Sequence, residues 1–225
     1  MPAILFGSIG TVAETSELQR QAFNLAFKEH GLDWYWDRKP YQALLVYSGG
    51  EQRIKAWAKS QAVDAHAIHQ TKSEIYQRLL SESGLQPRPG VLETIRAAQS
   101  RGIAVGLVSA TSPDNVAQLI AALAPHLQAK DFSLLTNSTL FANRKPAPDA
   151  YIYALQTLGV AAGECIAIED NADGLASALA AGISCVAFPG ANTADHDYSG
   201  AQTIVDNISF ESLIALNPQL NSAKR

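Results

Sequence analysis

Few residues in this chain are both chemically capable and suggestively placed. Ser109, Lys145 and the adjacent acids Glu169 and Asp170 each follow an apolar, strand-like run or stand just before the next helical pattern. A fifth stretch, Gly7-Ser8-Ile9-Gly10-Thr11, follows the apolar run Ala3-Ile4-Leu5-Phe6. The Ser109 hydroxyl and the amides around Gly10 and Thr11 suit phosphate oxygens, and the Lys145 ammonium suits their charge. Asp170, with Glu169 beside it, suits a hard cation such as Mg²⁺. The N-terminal stretch is informative for what it lacks. No Asp, Glu, His, Cys or Lys stands between Met1 and Val12, so this turn offers amides and hydroxyls but no carboxylate. Taken singly, each signal has an ordinary alternative: a helix-capping serine, an exposed lysine before prolines, two acids opening a helix. Together, at the carboxyl ends of strands in an α/β chain, they mark the place where ligands sit.

The elements that must position these residues follow from periodicity. Strands are expected near residues 3–6, 102–108, 132–135, 165–168, 184–188 and 203–205. Between them, helical stripes run from Pro113 through Leu123, up to Leu158, over Gly174–Ala181 and over Phe210–Leu216. Before residue 103 the pattern after Val12 is helical only. Leu18, Ala22, Phe23, Leu25 and Ala26 share one stripe over Ser16–Glu29, and Gly31 is placed to cap it. Further helical patterns cover 40–46, 51–60 and 65–81. The Trp34-Tyr35-Trp36 cluster reads as packing between short helices rather than as a substrate surface. The expected organisation is an α/β core, residues 1–14 and 87–225, with a mostly parallel sheet, interrupted by a helical domain at 15–86.

Composition narrows the function. A formal net charge of -4, with no basic stripe interleaved with aromatics, argues against nucleic acid. The first apolar run is too short to span a bilayer and lacks a basic leader, which predicts a cytoplasmic protein without a membrane partner. Cys165 and Cys185 are too few for a disulfide framework or a zinc site, and both stand in apolar runs as buried thiols.

These motifs, in this order, resemble the haloacid dehalogenase superfamily, and within it the CbbY-type sugar-bisphosphate phosphatases and β-phosphoglucomutases. The resemblance covers essentially the whole chain. The superfamily's first motif, Asp-x-Asp-Gly-Thr-Leu/Val, stands here as Gly7-Ser8-Ile9-Gly10-Thr11-Val12. The second matches Ser109, the third Lys145-Pro146-Ala147-Pro148-Asp149-Ala150-Tyr151, and the fourth Ile168-Glu169-Asp170-Asn171-Ala172-Asp173-Gly174. CbbY-like features also include Glu14, Arg20 to Asn24, Trp34-Tyr35-Trp36, Gly49-Gly50-Glu51, Arg53 and the Lys72 region. The resemblance implies a Rossmann-like core with an inserted helical cap. Its candidate phosphate-binding residues are Gly10, Thr11, Ser109 and Lys145, and its cap residues facing substrate are Arg20, Gly49, Gly50, Arg53 and Lys72.

The resemblance also implies that the usual chemistry is missing. In such enzymes the first Asp attacks phosphorus and the second handles the proton. Those positions are Gly7 and Ile9, so no catalytic residue is assigned. Ser8 is a poor stand-in nucleophile. Of the Mg²⁺ ligands only the Ile9 carbonyl and Asp170 remain, with Glu169 or Asp173 as help. No cofactor is expected, and Mg²⁺ only where that residual site still works. Gln19 and Gln52 replace the His and Lys usual in the cap. The leading reading is a phosphatase homologue that has lost hydrolysis and binds a phosphate-bearing small molecule, or an unidentified protein partner, in a regulatory role. The alternatives are an atypical Mg²⁺-dependent sugar-phosphate phosphatase using Glu14, Glu169 or Asp173, and a purely structural interaction module. Restoring Asp at positions 7 and 9 together is expected to return Mg²⁺ binding and a trace of hydrolysis.

Overall fold

The structure, a computed structural model, describes residues 1–7, 9–47 and 49–222. The chain forms two compact units, one of Met1–Glu14 with Leu85–Arg225 and the other of Thr15–Gly84. The first unit opens with β1 (Ala3–Phe6) and a single helical turn, α1 (Ile9–Val12). The second unit contributes α2 (Ser16–Glu29), α3 (Arg38–Leu44), α4 (Gly50–Ala58) and α5 (Ala65–Glu82). The first unit then resumes with α6 (Val91–Ser100), β2 (Ala104–Leu107), α7 (Pro113–Leu123) and β3 (Leu134–Leu135). It closes with α8 (Asp149–Leu158), β4 (Cys165–Glu169), α9 (Ala172–Ala180), β5 (Ser184–Ala187) and α10 (Phe210–Leu216). Among the described residues no helix is long and apolar enough to cross a membrane.

The five strands are parallel and ordered β3-β2-β1-β4-β5. β1 is central, with Ala3 opposite Ala104 on one side and Cys165 on the other. Its four residues are fully buried because helices cover both faces of the sheet, which is why β1 reads as an unbroken apolar run. The period of two divides the strands between two cores. Ile4, Phe6, Val105, Leu107, Ile166 and Ile168 pack with residues of α6, α7 and α10. Ala3, Leu5, Ala104, Ala167 and Cys185 pack with residues of α8 and α9. The second face uses smaller side chains, and α9, packed on it, is itself rich in alanine.

Starts and stops follow local chemistry. Ser112, Asn171 and Ser209 each accept a hydrogen bond from the backbone N–H three residues on, capping α7, α9 and α10. Gly90 takes φ 77° at the start of α6, and a Cβ there would lie 1.7 Å from the Ile208 carbonyl oxygen, so only glycine fits.

Several expectations are corrected. Residues 203–205 form no strand; Ile204 makes one isolated bridge to Ala187. The strand expected over 132–135 shrinks to Leu134–Leu135. In α2 the buried stripe is Ala22, Phe23, Ala26 and Phe27, whereas Leu25 is exposed. The helical unit has a core of aromatic rings, and Phe27 reaches it while Leu25, two residues earlier, projects from roughly the opposite side of the helix. Trp36 stands at the centre of that core, its ring 4.7 Å from both Phe23 and Phe27, whereas Tyr35 is exposed. The two cysteines are free and buried, and burial pushes the Cys165 thiol up to about 12 and Cys185 further still.

Candidate functional site

The carboxyl ends of β1, β2 and β4 meet around the side chain of Lys145. Its Nζ donates to the Gly7 carbonyl at 2.7 Å, to the Val108 carbonyl at 2.8 Å and to Glu169 Oε1 at 2.5 Å. An ammonium has three N–H groups, so all three are used within the protein. The lysine arrives from the loop before α8, and α8 supplies the second partner of the same carboxylate, the Tyr151 hydroxyl at 2.7 Å from Oε1. Burial, and next the Glu169 charge, raise the Tyr151 phenol well above its ordinary range, which keeps it a donor. Burial likewise raises Glu169, while the Lys145 charge beside it pulls the other way.

Glu169 is fully buried, and its second oxygen, Oε2, has no hydrogen-bond partner among the described residues. Two glycines make the room it occupies. A Cβ on Gly7 would lie 1.9 Å from Glu169 Cδ, and one on Gly174 would lie 2.1 Å from Oε2. Both are closer than any real contact, so the carboxylate stands where a side chain at position 7 would have to begin.

Asp170 is organised differently. Its Oδ1 accepts from the Thr11 hydroxyl and from Asn171 Nδ2, each at 3.1 Å. Its carbonyl accepts from Thr193 Oγ1 at 2.5 Å and from the Tyr198 hydroxyl at 2.6 Å. Oδ2 lies against the backbone of Gly10, where a Cβ would stand 2.2 Å away. Gly10 is pinned in turn by Arg88, whose Nη1 donates to its carbonyl at 3.0 Å. Ser109 is buried, with its Oγ accepting from the Thr111 N–H at 3.3 Å.

Lys145, Glu169, Gly7 and the strand end leading to Ser109 therefore gather in one place, with Asp170, Thr11 and Gly10 beside them. Ile9 begins α1 and packs its partly buried side chain against the apolar core. The expected tight turn after β1 is instead this helical turn. Ser8 lies outside the described residues. Glu14 Oε2 accepts from the Ala191 N–H at 2.7 Å, and among the described residues no group of three His, Cys, Asp or Glu side chains is gathered that could hold a metal. Sequence reasoning missed Tyr151 as a polar partner, Gly174 as half of a socket, and Arg88, Thr193 and Tyr198 as the groups that pin Gly10 and Asp170. Tyr151 gave one usable signal, its place six residues after Lys145 on the buried face of a helix.

The helical unit holds the remaining candidates. Lys72 is buried in α5, donates to Gln19 Oε1 of α2, and lies 4.9 Å from the ring centres of both Phe23 and Tyr76. Burial, with Arg53 adding repulsion, depresses its pKa to about 7. His69 is also pushed down, by burial first and by Lys72 next. Gly50 permits the approach of α4 to α5, since a Cβ there would lie 2.4 Å from the His69 ring. Gly49 takes φ 95° ahead of α4, and its carbonyl accepts from the Arg53 N–H. Arg20, by contrast, turns its guanidinium inward, donating to Glu17 and, at 2.6 Å, to the Trp36 carbonyl. Its donors serve the aromatic core of this unit.

The haloacid dehalogenase-like hydrolase family matches residues 1–182. The CbbY protein of Cereibacter sphaeroides is 36% identical over 212 residues, 92% of each chain. The chain belongs to the haloacid dehalogenase-like hydrolases. Its CbbY-like character extends to solved structures. CbbY from Rhodobacter sphaeroides in complex with phosphate is 36% identical, superposes with a TM-score of 0.85, and matches 97% of this chain and 100% of its own. A mutant of that CbbY in complex with xylulose-(1,5)bisphosphate superposes equally well, matching 96% of this chain and 99% of its own. At positions 7 and 9 this chain offers no group that can attack phosphorus or carry a proton, since Gly7 has no side chain and Ile9 has a hydrocarbon one.

Proposed function

We propose that this chain is a CbbY-type family member that no longer hydrolyses phosphomonoesters and uses its fold to bind a phosphate-bearing small molecule. One observation carries the reading: position 7 bears no side chain, and the space beside it holds the buried, ion-paired carboxylate of Glu169. A nucleophile must reach substrate, whereas Glu169 is fully buried and tied to Lys145 and Tyr151. The acid/base at position 9 would contribute about 10²–10⁴-fold by itself, and isoleucine offers none of it. The donor set offers Mg²⁺ one available carboxylate, Asp170, the low end of the one or two that such a cation takes beside substrate phosphate and water. In this reading the core ligands are Gly10, Thr11, Ser109 and Lys145. Within the helical unit, Lys72 and Arg53 are the cationic side chains that would suit an anionic group. The phosphate and the sugar bisphosphate bound by the CbbY structures set the expected ligand class.

A second reading draws on the same carboxylate. Glu169 stands beside the missing side chain, so a conformation that freed it from Lys145 would restore one acid to the site. The deciding measurement is phosphate release from a panel of sugar phosphates and bisphosphates, with Mg²⁺ and with metal-free protein as the control. No release above the metal-free background is expected. Robust Mg²⁺-dependent release, abolished by Asp170→Asn, would overturn the proposal and favour the second reading.

A further inference from the structure

We propose that Glu169 is a built-in occupant of the core anion site: seated between Gly7 and Gly174, it holds the Lys145 donor that an external oxyanion would need, so a phosphate-class ligand binds only by displacing it. The inference rests on reading the core as an anion site, and it concerns binding rather than turnover.

Three observations converge on it. The first is donor arithmetic. Lys145 has three N–H groups; two are held by the carbonyls of Gly7 and Val108, and the third by Glu169 Oε1. An incoming oxyanion gains no lysine donor until one of these lets go. The two carbonyls belong to the ends of β1 and β2 and are fixed by the sheet, whereas Glu169 is a side chain and can rotate. The second is the fit. Both glycines face the carboxylate at distances no Cβ could tolerate, so the socket exists only because positions 7 and 174 are side-chain-free. The third is the imperfection of the fit. Oε2 is buried without a hydrogen bond to any described residue, a penalty that a solvated carboxylate would not bear. The resting arrangement is therefore held by the Lys145 pair and the Tyr151 hydroxyl against a standing penalty, which makes displacement by a better anion feasible.

The test uses inorganic sulfate as the probe, because it keeps its charge across the working range, followed by isothermal titration and by amide shifts of Gly7, Gly10 and Ser109. The full chain is compared with Glu169→Gln, which keeps the shape and removes the competing charge. Glu169→Gln is expected to bind sulfate at least about tenfold more tightly than the parent, a gain lost again when Lys145→Met is added. A folded Glu169→Gln that binds sulfate no better than the parent overturns the proposal. Where Glu169→Gln does not fold, Gly7→Ala gives the same reading, since its methyl group evicts the carboxylate from the other side. A gain supports the proposal, and unchanged affinity overturns it. Phosphate-ester turnover by the parent would sink the proposed function while leaving this comparison of affinities intact.

Discussion

Each unit of the molecule draws a lysine inward, Lys72 buried and Lys145 half-buried, and the two are partnered in opposite ways. Lys145 lies beside a carboxylate, two carbonyls and the Tyr151 ring. Lys72 has an amide oxygen and two aromatic faces, and the charge that acts on it is the like charge of Arg53. A buried ammonium without a counterion gives up its proton more readily, and Lys72 is accordingly poised to titrate at about 7. The difference separates two uses of a lysine. In the core, the lysine is paired internally with Glu169, which an incoming anion must displace. In the helical unit, charge is left unneutralised, and an anion arriving there would supply what the protein withholds.

The largest expected effect comes from breaking the core pair. Lys145→Met strands a fully buried carboxylate and should lower stability by about 3–5 kcal/mol, read as a shift in the urea midpoint. A loss under about 1 kcal/mol would mean that Glu169 escapes to solvent without its partner. Next is Gly7→Asp, the single reversion toward the family motif. Overpacking against Glu169 alone should cost about 1–3 kcal/mol. Adding Glu169→Ala should recover most of that loss, because Lys145 then pairs with the new Asp. This amends the expectation that aspartates at 7 and 9 suffice to restore Mg²⁺ binding; Glu169 must move as well. If Gly7→Asp is as stable as the parent, the socket reading fails.

The lysine of the helical unit should respond to pH instead. Between about 7 and its ordinary value of 10.5, Lys72 is an amine when folded and an ammonium when unfolded. The unfolded chain then binds more protons, so this residue makes stability rise with pH across that window and adds no slope below it. Lys72→Met should remove the rise and raise stability at pH 6, and an unchanged pH profile would show that Lys72 is charged in the fold. The smallest effect belongs to Tyr151→Phe, which deletes one of the two hydrogen bonds on Glu169 Oε1 and should cost about 1–2 kcal/mol. Its sulfate affinity should rise slightly, since the carboxylate is then held less firmly.

Much of the molecule was legible in the residues. The parallel sheet follows from apolar runs at β1, β2 and β4 separated by helical stripes, and α2 and α10 begin and end at the residues their patterns indicated. The exceptions lie where local signal is weakest. Thr203-Ile204-Val205 has strand-like chemistry but only one bridge to pair with, and Leu25 fits a helical stripe whose true direction is set by the aromatic core around Trp36.

The site divides along the same line. The sequence by itself determined which chemistry is absent, because glycine at 7 and isoleucine at 9 lack the necessary atoms in any fold. It also determined which strand ends would carry the remaining polar groups. What only the tertiary structure decided is how those groups spend their hydrogen bonds. Lys145 and Glu169 are 24 residues apart, and Gly7 lies 138 residues from Lys145. No spacing rule says that the carboxylate will fill the gap left by one glycine and lean on another. That outcome depends on the distances among three strand ends and on the scarcity of partners in a dry interior, where every donor already given to the protein is one withheld from a ligand.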